Sequence, residues 1–153
     1  MGFMKTGRRQ FIVTAPLAFA ALPQAAPETR WRGKLVCLTE ELRRHQVTPA
    51  CAERGHVYAL KTSAGKLHPI LPTEGAAALW LDERFRQLDL QIVGRSFAET
   101  EFIEVIKLQN WHDGKLYEPE YYCIVCNISV YKPGPCECCQ DPVEYREVLV
   151  PEK

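Results

Sequence analysis

The sequence predicts a mainly β chain, a small antiparallel barrel with one short helix, followed by a C-terminal cysteine knot. Three observations carry this. From residue 31 onward, β-branched and aromatic residues alternate with polar ones over short stretches, and turn-forming residues punctuate those stretches. Five of the seven cysteines then crowd into residues 123–139. With 153 residues, the chain can bury one modest core.

Residues 1–26 have the three-part layout of an export signal: a basic start with Lys5, Arg8 and Arg9, a modest apolar run containing Pro16, and the small-x-small pattern Ala18-Phe19-Ala20. The pair Arg8-Arg9, with Phe11 and Ile12 after one intervening residue, resembles the twin-arginine signal, although Gly7 and Val13 depart from its usual Ser/Thr and Lys. That resemblance implies the twin-arginine translocase as a partner during export and a periplasmic or otherwise exported mature chain. A Sec signal or a buried N-terminal helix is the competing reading. Phe11 to Pro23 falls short of the roughly 20 residues a membrane span needs, so no span is expected after cleavage. The twin-arginine route carries folded proteins, so thiolates kept reduced in the cytosol can take up a metal before export.

Residues 27–30 read as a linker, and Trp31 to Leu38 as a first strand. Thr39 to His45 is one or two helical turns, closed by Thr48-Pro49. His56–Thr62 and Lys66–Pro72 form a hairpin around Ser63-Ala64-Gly65, where Gly65 supplies the positive φ of a tight turn. Thr73 is a candidate cap for a short amphipathic helix whose expected buried face is Ala77, Trp80, Leu81 and Phe85. Leu88–Phe97 alternates as a strand, and Glu101–Leu108 is another. A turn through Asp113-Gly114 leads into a strand over Leu116–Tyr122. Strand, strand, strand, short helix, strand, strand over residues 31–118 resembles an OB-fold barrel in topology, which contributes little about function.

Residues 119–150 carry the chemistry. Cys123 and Cys126 form one C-x2-C, Cys136 and Cys139 a second, nine residues apart. A two-residue gap lets two sulfurs meet one ion at about 2.3 Å, and two such knuckles complete a tetrahedral shell. The segment resembles a zinc ribbon, with Pro133-Gly134-Pro135 stiffening entry to the second knuckle and Tyr121, Ile128 and Tyr131 expected to shield the site. Zinc is the favoured ion, with iron or copper as alternatives because soft sulfur suits all three. Cys138 departs from the pattern: it could replace a neighbour as ligand, bind a second ion, or stay a free thiol. A disulfide framework is the competing use of these cysteines, and Cys37 with Cys51 is a separate candidate disulfide. Asn127 stands where haem attachment would require His. From the twin-arginine pair to Pro135-Cys136-Glu137-Cys138-Cys139, the chain resembles small exported bacterial proteins with a C-terminal zinc-ribbon-like cluster.

Other chemistries find less support. Removing residues 1–26 takes 19 basic groups to 16 against 19 acids, which argues against a nucleic-acid surface. His45, His56, His68 and His112 show no ligand spacing, and neither a phosphate-cradling loop nor a serine-nucleophile elbow is present. The expectation is therefore an exported, metal-binding structural or interaction protein with an unknown periplasmic protein as candidate partner, more a binding module than an enzyme. Electron transfer or metal delivery through the same four thiolates is the alternative.

Overall fold

A computed structural model of the protein describes residues 27–49 and 55–151; Arg8, Arg9, Phe11 and Cys51 lie outside them. Eight strands form one antiparallel sheet: β1 (Thr29–Cys37), β2 (Tyr58–Thr62), β3 (Leu67–Pro69), β4 (Asp89–Phe97), β5 (Thr100–His112), β6 (Lys115–Cys123), β7 (Ile128–Val130) and β8 (Glu144–Leu149). The path is β3-β2-β1-β4-β5-β6-β7, with β8 also on β6. The expected order is present, with a short helix α2 (Ala77–Leu81) between the third and fourth strands and a single turn α1 (Leu38–Glu41) after the first.

The sheet is not closed into a barrel, which corrects the expectation. β3 and β5 meet at one parallel bridge, Ile70 to Ile103, beside a hydrogen bond from the Leu71 N–H to the Ile103 carbonyl at 2.9 Å. Three residues of β3 are too few to carry a ladder across the gap. One core cluster packs against this open sheet, with Leu60, Phe85, Leu90, Ile92 and Ile103 fully buried in it.

The helical region differs from a single amphipathic helix. The 3-10 turns Glu74–Ala76 and Glu83–Arg86 flank α2, and each change of helix type shifts the angular phase of the side chains. The buried residues are Ala76, Ala78, Leu79 and Phe85; Leu81, expected on that face, is 58% exposed. Thr73 precedes the first turn, but its hydroxyl has no partner. Asp82 does the capping, accepting from the Arg84 N–H at 3.0 Å.

β5 is one strand of 13 residues, longer than the alternation predicts. Val93 pairs with Lys107 and Gly94 with Val105, leaving Ile106 as the extra residue of a β-bulge. The bulge resets which side of β5 faces the core, so Ile103 and Val105 are buried before it and Gln109 and Asn110 after it. Asp113 and Gly114, at φ 52° and 71°, make the expected tight turn into β6.

β6 is the strand that places the cysteines. Tyr117 pairs with Asn110 of β5 and with Leu149 of β8; Tyr121 pairs with Val130 of β7 and with Tyr145 of β8. One edge of β6 therefore carries β5 and then β7, and the other carries β8. Cys123 ends a strand held on both sides.

Candidate metal centre

Two copies of one local design present the sulfurs. After Cys123, the chain reverses through Ile124 and Val125, and the Asn127 N–H returns to the Cys123 carbonyl at 2.8 Å; in the second knuckle the Gln140 N–H returns to the Cys136 carbonyl at 2.9 Å. Asn127 and Gln140 sit at φ 56° and 67°, the left-handed conformation that closes each turn. In the first knuckle the Cys126 N–H also approaches the Cys123 sulfur at 3.4 Å.

Each knuckle has a stiff mount. The first hangs from β6 and returns along β7, with Cys123 opposite Ile128. The second is the tip of a narrow loop. The Cys136 N–H donates to the Asp141 carbonyl at 2.8 Å, the Val143 N–H to the Gly134 carbonyl at 3.2 Å, and Pro135 bridges Pro142. Lys132 holds this loop to the body from a different direction, reaching Glu74 at 3.0 Å and Glu137 at 3.3 Å.

The result is convergence. The Sγ atoms of Cys123, Cys126, Cys136 and Cys139 all lie within 4.8 Å of one another. Those of Cys123 and Cys139 are 3.4 Å apart. A tetrahedral ion with arms of about 2.3 Å sets sulfurs roughly 3.8 Å apart, whereas a disulfide requires about 2.05 Å. All five cysteines from Cys123 to Cys139 are free. The four converged thiols thus have the number, element and spacing for one soft metal ion.

No protein-family model, curated protein or solved structure matches this chain.

The surroundings prepare the site for positive charge. N–H groups of Cys139 and Cys138 point at the Cys136 sulfur and bring its pKa down to about 7. Contacts with the thiols of Cys139 and Cys138 push Cys126 well above the ordinary thiol range. A cation among the four sulfurs would favour their ionised forms.

Cys123 and Cys136 are fully buried, Cys126 and Cys139 half-buried. Cys138 is exposed and stands outside the converged four. The expected shielding is only partly present. Tyr121 is buried, but Ile128 is 40% and Tyr131 is 73% exposed. The ring of Tyr121 runs instead under the body, where its hydroxyl donates to Asp82 Oδ2 at 2.6 Å.

The histidines are elsewhere. His112 bonds Glu147 at 2.8 Å and stacks on Tyr117, while His56 stacks on Tyr58. Cys37 is disulfide-bonded; its expected partner, Cys51, lies outside the described residues. The residues that spacing alone passed over are Asn127 and Gln140. Their signal was their place immediately after each C-x2-C.

Proposed function

We propose that the protein is an exported zinc-binding structural module, in which one ion held by Cys123, Cys126, Cys136 and Cys139 locks the C-terminal ribbon onto the sheet. The observation that carries this is the convergence of four free thiols from two equivalent knuckles. Zinc bound there would supply a colourless, redox-inert crosslink between the end of β6 and the loop before β8. The chain's own residues supply the site: the two left-handed turns aim the sulfurs, and β6, paired on both edges, keeps the first knuckle in place.

Export rests on Arg8, Arg9, Phe11 and the small-x-small motif, and a disulfide at Cys37 is in keeping with an oxidising compartment. The exposed Ile124, Val125 and Tyr131 around the first knuckle offer a surface for a protein partner.

Native mass spectrometry of protein recovered from the periplasm tests the reading. The expected species lacks a segment of about 26 residues and carries one zinc. Replacing any of the four ligands with serine should lower zinc to well under one per chain. A zinc-free chain with the five C-terminal cysteines joined as disulfides refutes the reading. A red, iron-loaded chain would favour electron transfer through the same sulfurs.

A further inference from the structure

Residues 124–131 carry apolar side chains that the fold leaves uncovered. Between the two cysteines of the first knuckle stand Ile124 and Val125, 60% and 68% exposed. Ile128 at the start of β7 and Tyr131 just after it are also exposed. Scattered single hydrophobes on a surface are ordinary, but four large ones within eight residues of chain mark an interaction surface. Ile124 and Val125 top a turn already closed by the Asn127 to Cys123 hydrogen bond, so covering them requires little further ordering of the backbone.

Charge is distributed unevenly around this tip. Residues 27–118 hold thirteen acids and thirteen bases, whereas residues 119–150 hold five acids, Glu120, Glu137, Asp141, Glu144 and Glu147, against Lys132 and Arg146. Both bases are engaged within the chain: Lys132 lies between Glu74 and Glu137, and the Arg146 guanidinium lies over the Tyr122 ring at 3.6 Å. The excess negative charge therefore sits in the same segment as the apolar tip. Such a surface repels nucleic acid and anionic lipid, and a second copy of it would meet its own charge.

We propose that the tip of the first knuckle is a docking site for a protein whose own surface offers an apolar groove rimmed by lysine or arginine. This inference deepens the structural-module reading above and rests on it. Ile124 and Val125 supply the apolar contact, and the acids of residues 119–150 steer the approach and select the partner by charge. The contact is accordingly weakened by salt, which screens the acids but leaves the apolar area unchanged.

The test uses the full-length zinc-loaded protein, with zinc content measured first. The probe is a short helical peptide of leucine and lysine; a leucine–glutamate peptide and a lysine–serine peptide of equal length are the controls. Calorimetric titration should show the leucine–lysine peptide bound, neither control bound, and the affinity falling as salt rises from about 50 to about 500 mM. Ile124→Ser/Val125→Ser should keep one zinc and bind the peptide about tenfold more weakly or worse, since it removes two apolar side chains from the contact. Where the double variant loses its zinc, Val125→Ser alone is read instead, with an expected loss of about threefold or more. Unchanged affinity in the variant overturns the proposal, as does failure to bind the leucine–lysine peptide or equal binding of the leucine–glutamate peptide. Vesicles of phosphatidylethanolamine and phosphatidylglycerol are run in parallel: protein that sediments with them through Ile124 and Val125 assigns the tip to a membrane and also overturns the proposal. A chain without zinc before any peptide is added refutes the structural-module reading, and the proposal with it; the other failures refute the proposal alone.

Discussion

Replacing Asp82 with asparagine should cost about 3 kcal/mol at neutral pH, and the cost should shrink in acid. The Asp82 side chain is almost fully buried. Its Oδ1 accepts from the Arg84 backbone N–H at 3.0 Å and from Arg84 Nε at 2.9 Å. Its Oδ2 accepts from Arg84 Nη2 at 2.5 Å and from the Tyr121 hydroxyl at 2.6 Å. Burial alone would raise the pKa of this carboxyl; the Arg84 and Tyr121 hydrogen bonds outweigh it and hold the pKa below the usual value.

Asparagine turns one acceptor into a donor that faces donors, so at least one charge-assisted bond of about 1.5–3 kcal/mol is lost and a buried polar group is left unmatched. The pKa of the folded state is depressed, so this stability is fully present above the unfolded value near 3.9 and is lost as pH falls through the folded value. Urea titrations at pH 7 and pH 3 measure it. The gap between wild type and Asp82→Asn should narrow at the lower pH. The contribution of Glu147 is present in both proteins and drops out of the comparison. A gap of equal size at both pH values refutes the assignment of a buried, ionised Asp82.

Other outcomes follow from the same geometry. Asn127→Val should bind zinc roughly tenfold more weakly than Asn127→Gly, as measured by chelator competition. Both variants lose the side-chain bond to the Tyr122 hydroxyl, and the valine adds the cost of a β-branched residue at positive φ, about 1–2 kcal/mol. Gly94→Ala should lower stability by about 2–3 kcal/mol in thermal or urea melts, since its Cβ would come within 2.0 Å of the Glu104 carbonyl oxygen at the bulge. His112, bonded to the carboxylates of Asp113 and Glu147, should titrate above its ordinary value in an NMR pH series, and Glu147→Gln should move the midpoint down. Its contribution to stability is present at low pH and fades as pH rises through that raised midpoint.

Several of the structure's features were legible because they depend on neighbours in sequence. Asp113-Gly114 and Gly65 require positive φ in tight turns, and both adopt it. The alternation of Leu88, Leu90 and Ile92 marks β4, where Leu90 and Ile92 are fully buried. The two C-x2-C spacings identify the four thiols that converge, because a knuckle is a local turn of five residues. The periodicity of the segment after Thr73 misled: Ala77, Trp80 and Leu81 all lie within α2, but that helix buries Ala78 and Leu79 instead, and Phe85 is buried from the separate 3-10 turn that follows. The switch from 3-10 to α and back at Asp82 depends on Arg84 and Tyr121 meeting that carboxylate.

What the sequence determined by itself is therefore the short-range part: strands, turns, one brief helix and two sulfur-bearing knuckles. The tertiary structure alone decided that the sheet stays open between β3 and β5 and that Ile106 bulges. Those outcomes come from pairings between strands, whose hydrogen-bond register and packing are set only when the strands meet.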